Sequence, residues 1–297
     1  MPVLHVIEPH GFCSGVKAAA EAAAKALDSR PDGAGGVYCL HELVHNSIVV
    51  EGLRARGMVF VDSLSGVPRG ATVLFSAHGV SPAVRAEAES RGLDVVDATC
   101  PFVTRVHREV RAYAQDGLPV VIIGNAGHAE VAGTAGEAPP ELVHVVNSAA
   151  DVAALPDFPG GAAGVVAQTT LGTDDVEAVL SALRARFGGL RTSPAASVCY
   201  ATRDRQRAVR EYVRSAPGPC GVVVLGSPES SNTRRLAETA RAAGAAFTAL
   251  AGDMAGLSAL DLPELGFFGI TSGASTPEEF LESAVAALRG RIEGGCR

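Results

Sequence analysis

The sequence predicts an α/β protein made of three small parallel-sheet lobes, arranged pseudo-threefold around a central cavity. Three observations predict it. Short β-branched runs alternate with amphipathic helical stretches along all 297 residues. The apolar runs are continuous rather than alternating, as in strands covered on both faces of a parallel sheet. A cysteine stands directly before a helix at Cys13, Cys100 and Cys199, 87 and 99 residues apart, which divides the chain into comparable thirds.

In chain order the expected strands are VLHVI, GVYCL, MVFVD, ATVLFSA, DVVDA, PVVIIG, VHVVN, GVVAQ, GVVVLG, AFTALA and GFFGITS. Between them lie helical patterns: the alanine-rich stretch after Cys13, then SPAVRAEAESRG, VTRVHREVRAYAQ, TDDVEAVLSALRARFG, RDRQRAVREYVRS, SNTRRLAETARAAG and TPEEFLESAVAALRGRI. Single helices joining apolar strands are the mark of parallel βαβ units. Ser81-Pro82 and Thr276-Pro277 each offer an N-cap followed by proline at the first helical position, and Glu279 completes a capping box with Thr276. The expected lobes are residues 14–99, residues 100–197, and residues 1–13 joined by 198–297. Each third repeats the cysteine junction and adds two polar strand-to-helix junctions, for example HELVHNS and SAHGVSP in the first. Loops at the carboxyl ends of parallel strands build ligand sites, and the helix N-termini that follow expose unpaired N–H groups. Three sheets turned inward would therefore line a cavity suited to an anion.

Composition narrows the function. A net charge of −7 without a basic block argues against nucleic acid as the main partner. No apolar run reaches the ~18 residues that span a bilayer. The start, MPVLHVIEPHGFC, lacks a basic leader and a cleavage site, so no membrane partner and a cytoplasmic location are expected. Six cysteines without any C-x-x-C make neither a disulfide framework nor a zinc ribbon.

Cys39, Cys220 and Cys296 read as core or terminal residues. Cys13, Cys100 and Cys199 sit where a helix N-terminus lowers a thiol's pKa. One such cysteine reads as a nucleophile; three in equivalent places read as ligands of one metal centre. Zinc and an iron–sulfur cluster both suit three thiolates, and a four-iron cluster would keep one iron open to substrate. His45, His78 and His128 stand at post-strand loops, where they fit a zinc triad or phosphate recognition equally. Glu130 reads as a first-turn helix acid, or as a general acid if desolvation raises its pKa. The loops SPESSN (227–232) and SGAS (272–275) read as caps and turns, and also as phosphate cradles. No P-loop lysine and no G-x-G-x-x-G accompany them.

Taken together, GFCSGV, HELVHNSIVVEGLRARG, FSAHGVSPAVR, DATCPFVTRVH, GHAEVAGTAG, AQTTL, CYAT, GSPESSNTRRLAE and TSGASTPEEF resemble the 4-hydroxy-3-methylbut-2-enyl diphosphate reductase family of the methylerythritol phosphate route to isoprenoids. The resemblance runs in order over essentially the whole chain. It implies a three-lobed protein around one 4Fe–4S cluster with three cysteine ligands, matching Cys13, Cys100 and Cys199, and one open iron. It implies a diphosphate pocket matching His45, His78, His128, Ser230, Ser231, Asn232 and Ser275. Thr169 matches the residue near the substrate hydroxyl and Glu130 the proton source. The implied reaction is reductive dehydroxylation of an allylic diphosphate, with electrons from a ferredoxin or flavodoxin.

The chain departs from the family pattern at four places. Ala18 stands where arginine is expected, Asp204 where asparagine is expected, Pro228-Glu229 where a polar or basic pair is expected, and Asn125 at a position often held by another polar residue. The alternatives are a paralogue acting with the same cluster on another allylic or unsaturated substrate, and a zinc hydrolase or metal-bound sensing module built on the three thiolates.

Overall fold

The computed structural model describes residues 2–29, 36–192 and 198–294. Its strands are β1 (Val3–Val6), β2 (Val37–Leu40), β3 (Met58–Val61), β4 (Thr72–Phe75), β5 (Asp94–Asp97), β6 (Val120–Ile123), β7 (Val143–Val146), β8 (Ala162–Ala167), β9 (Gly189–Thr192), β10 (Cys220–Leu225), β11 (Phe247–Ala251) and β12 (Phe267–Ser272). Its α-helices are α1 (Ser14–Asp28), α2 (Ser47–Ala55), α3 (Pro82–Ser90), α4 (Pro101–Gln115), α5 (Ala129–Ala135), α6 (Thr173–Arg186), α7 (Tyr200–Ser215), α8 (Ser231–Ala242), α9 (Met254–Ser258) and α10 (Glu278–Gly294).

The strands form three four-stranded sheets, ordered β3-β2-β4-β5, β7-β6-β8-β9 and β11-β10-β12-β1. Every pairing is parallel. The α/β class and the three sheets agree with the sequence. The three sheets also share one strand order. In each, the first strand is flanked by the second and third, and a fourth lies at the edge beside the third. In the last sheet that fourth place is filled by β1, from the start of the chain. We propose a division by sheet into lobes 14–99, 100–197 and 1–13 with 198–297.

One strand goes beyond the sequence expectation. β9, with the sequence GLRT, has no apolar run to reveal it. It is an edge strand whose residues are half-buried or exposed, so pairing with β8 holds it rather than burial. Inner strands fit the continuous-apolar pattern: all residues of β6 and β10 are buried.

The described residues group into two compact units. The first comprises Met1–Val16, Val44–Gly52 and Tyr200–Arg297. Here strand periodicity sorts side chains to opposite faces. Val223 and Leu225 pack toward α10 with Phe268 and Leu288. Val222 and Val224 pack toward α7 and α8 with Val209 and Leu236. The second unit comprises Lys17–Leu43 and Leu53–Cys199. In it Val121 and Ile123 join Val179 and Leu183 of α6. Val120 and Ile122 join Val106 and Val110 of α4 and Val131 of α5. Burying each such side chain stabilises the fold by ~1.5–3 kcal/mol. Ser81 caps α3, its hydroxyl accepting the Val84 N–H with Pro82 at the first turn, as the sequence predicts. No helix among the described residues is long and apolar enough to cross a membrane.

Candidate functional site

The cysteine junctions repeat down to single hydrogen bonds. Cys13 N–H donates to the Ala274 carbonyl at 3.0 Å, Cys100 N–H to Ala77 at 3.1 Å and Cys199 N–H to Thr169 at 3.1 Å. The three acceptors lie just beyond β12, β4 and β8, which hold the third place in their respective sheets. Each acceptor is, or adjoins, another site residue singled out in the sequence: Ser275, His78 and Thr169 itself. A parallel sheet ends all its strands on one side, so the cysteine turn is laid against the loop of its neighbour.

The three thiols differ from the other described cysteines. Cys13, Cys100 and Cys199 are half-buried, whereas Cys39 and Cys220 are buried in strands. Burial pushes the Cys39 thiol up to about 12 and raises that of Cys220, which keeps both protonated and inert. Cys13 Sγ instead accepts the Val16 N–H at 3.4 Å across the first turn of α1. Cys100 is the N-cap of α4, and Cys199 directly precedes α7. Three accessible soft donors at helix starts fit an iron–sulfur cluster by their chemistry. Cys296 lies outside the described residues.

In the first unit the loop after β10 leads into α8, with Ser230 as N-cap accepting the Thr233 N–H at 3.4 Å. Ser230, Ser231 and Asn232 are all buried. Asn232 is only 3 % exposed, yet its Oδ1 and Nδ2 have no partner among the described residues. A buried amide left so costs about 1–3 kcal/mol per group, which a polar ligand at the start of α8 would recover. Asn46, which no sequence motif marks, is likewise buried, with no partner for Nδ2 among the described residues. Its neighbour His45 is half-buried, and the His45 carbonyl accepts the Ser275 hydroxyl at 3.2 Å.

In the second unit His78 and His128 stand edge to face, with ring centroids 5.5 Å apart. His128 caps α5, its Nδ1 accepting the Glu130 N–H at 3.1 Å. That bond places the neutral ring's proton on Nε2, making it a donor toward an anion. Glu130 is 3 % exposed on the first turn of α5. Its Oε1 accepts the Thr169 N–H at 2.6 Å, and its Oε2 lies 3.1 Å from Thr169 Oγ1. Burial pushes its pKa up to about 7, against the pull of the two Thr169 bonds. Near neutral pH the carboxyl is therefore poised between its two forms. Oε1 is committed as an acceptor, so the proton sits on Oε2, facing the Thr169 hydroxyl. Thr169 in turn receives the Cys199 N–H on its carbonyl, so one residue joins the acid to a cysteine turn. Beneath it Gln168, also unpredicted, ties Asn125 N–H and Thr170 Oγ1 together at 3.1 and 3.0 Å.

Comparison with known proteins places this arrangement in a family. The family model described as "LytB protein" matches residues 4–289. The chain belongs to the LytB family. Its relatives include 4-hydroxy-3-methylbut-2-enyl diphosphate reductases from Acidithiobacillus ferrooxidans, 44 % identical over 95 % of this chain and 87 % of that one. The Pseudomonas aeruginosa protein of the same name is 44 % identical over 96 % and 90 %. Among solved structures, the E-1-hydroxy-2-methyl-but-2-enyl-4-diphosphate reductase from Plasmodium falciparum superimposes with a TM-score of 0.90 and 34 % identity. That match covers 97 % of this chain and 88 % of that chain.

The positions at which this LytB chain departs from the expected pattern have definite places. Ala18 is exposed on α1, and Pro228 and Glu229 are exposed ahead of α8. Asp204 pairs with Arg203 at 3.2 Å and Arg207 at 3.9 Å, two exposed arginines that neutralise it locally. Asn125 Oδ1 accepts the Gly127 N–H, shaping the turn before His128. Arg205, next to Asp204, is buried and donates to the Gly11 carbonyl at 2.8 Å and the His10 carbonyl at 3.3 Å, bracing the turn that leads to Cys13.

Proposed function

We propose that this chain reduces 4-hydroxy-3-methylbut-2-enyl diphosphate to isopentenyl and dimethylallyl diphosphate, the activity carried by the names of its relatives. The observation that supports it most is the buried Glu130–Thr169 pair joined to the Cys199 turn. It sets a proton donor with a pKa of about 7 one residue away from a thiol ligand. The balance of the reaction is simple: two electrons and two protons enter, the allylic C–O bond breaks, a C–H bond forms and water leaves.

In this reading Cys13, Cys100 and Cys199 hold one 4Fe–4S cluster with an open iron. When bound, that cluster supplies electrons one at a time and a Lewis-acidic iron. The chain's own residues do the rest. His45, His78, His128, Ser230, Ser231, Asn232 and Ser275 hold the diphosphate, whose binding energy orients a small, otherwise featureless substrate. Glu130 holds its proton on Oε2 and passes it through Thr169 Oγ1 to the departing oxygen. The electron donor in this reading is a ferredoxin or flavodoxin, and the compartment is the cytoplasm. The departures from the family pattern are exposed residues or a locally paired carboxylate, which favours the five-carbon diphosphate over an altered substrate.

Anaerobic reconstitution tests the cofactor. The expected product is a brown protein with about four irons and four sulfides per chain. A colourless protein that takes up zinc and rejects iron would contradict the reading.

A further inference from the structure

Helix α5, which carries Glu130 in its first turn, is only seven residues long and has a glycine in its middle. Two turns of AEVAGTA cannot hold themselves as a helix in water, so tertiary contacts decide where α5 lies. On one side it meets the loop carrying His78. A Cβ on Gly133 would stand 3.2 Å from the Gly79 carbonyl, so the two backbones touch. Gly79 itself has φ +75°, and a Cβ there would lie 3.0 Å from His107.

At its far end stands a feature outside the candidate site. Two residues beyond α5, the Glu137 carboxylate is 1 % exposed and lies 2.8 Å from His107 Nδ1. The Arg111 guanidinium donates to its other oxygen at 2.6 Å. His107 and Arg111 both belong to α4, the helix capped by Cys100. Burial, aided by the Arg111 and Arg85 charges, holds the imidazole neutral, with its pKa down at about 4. Nδ1–H therefore donates to the carboxylate, and His107 Nε2 has no partner among the described residues. Glu137 thus bonds to two successive turns of α4 at once. Removing it would strand a buried imidazole and free one end of a helix that has little stability of its own.

We propose that Glu137, with His107 and Arg111, is a positioning group for Glu130: it fixes the far end of α5 to α4, and so fixes where the acid meets Thr169. The proposal rests on the reading of Glu130 as the proton donor.

Reconstituted holoenzymes of Glu137→Ala, Glu137→Gln and Glu130→Gln test it, each measured for iron content, kcat, KM and the pH dependence of kcat. Glu137→Ala is expected to keep full iron and a KM within about threefold, to lose ~10–100-fold in kcat, and to move the pH at which kcat falls by half. Glu137→Gln restores kcat to within about threefold, because an amide can accept from Arg111 and donate to the imidazole. A wild-type kcat and pH profile in fully loaded Glu137→Ala would overturn the proposal. So would a loss of kcat that only tracks lost iron. Should Glu137→Ala fail to accumulate, Arg111→Met removes one of the two bonds from an exposed side chain. A several-fold lower kcat at unchanged KM is then expected, and an unchanged kcat overturns the proposal. A Glu130→Gln enzyme of near-full rate would instead refute the proton-donor reading, whatever Glu137 does.

Discussion

At the scale of single residues the proposed chemistry rests most on Glu130. Its raised pKa makes two predictions. In the proposed role of proton donor it must be protonated, so kcat is expected to fall as pH rises through about 7, and Glu130→Gln is expected to keep its iron while losing turnover by several orders of magnitude. Its stability effect runs the same way. The folded state holds the proton up to about 7 where the ordinary value is 4.5, so the apoprotein loses stability as pH climbs across that window. The loss is on the order of 3 kcal/mol, and denaturant titrations at several pH values should show the slope vanish in Glu130→Gln. Asn232 makes a different prediction. Truncation to alanine removes two unpartnered buried atoms, so the apoprotein gains or holds stability while KM rises ~10–100-fold at unchanged iron content. An unchanged KM would remove Asn232 from the proposed diphosphate site. Cys13, Glu130 and Asn232 could be singled out as candidates in the sequence because each stands at a strand-to-helix junction. Glu137 and Gln168 were not, since their partners Arg111 and Asn125 lie far away in the chain; nor was Asn46, whose burial no local pattern records.

Among the elements, strands with β-branched runs and the helix capped by Ser81 were readable; β9 was not, and the Thr276 hydroxyl, expected as a cap, goes instead to the Leu225 carbonyl. Its four residues GLRT carry no pattern, and the strand exists because β8 offers an edge to pair with. The short α5 is the element on which the site depends most. Its packing against the loop after β4 goes through glycine on both sides, and at Gly79 the backbone is left-handed besides. Gly79→Ala should cost about 1–2 kcal/mol in stability and displace His78. The checks are a denaturant midpoint and a raised KM for substrate; a wild-type value of both would mean that the loop has slack that the close contacts deny.

Over the whole molecule the shared order of the three sheets explains why single cysteines stand so far apart in sequence. Each cysteine turn is laid against the loop beyond the strand in third place, and the three sheets supply one turn apiece. If the proposed ligand set holds, replacing any one of Cys13, Cys100 and Cys199 by serine abolishes iron incorporation to the same extent, measured as iron and sulfide per chain. Unequal losses would mean that the three turns are not equivalent. The α/β class and the threefold repeat were legible from alternation and spacing. The grouping of the chain into two contact units was not, because it depends on packing between segments that no local pattern records. The most direct test of the account is anaerobic oxidation of reduced viologen by the reconstituted protein with 4-hydroxy-3-methylbut-2-enyl diphosphate added. Turnover that yields both isopentenyl and dimethylallyl diphosphate is expected. A fully loaded cluster that leaves this substrate untouched would contradict it.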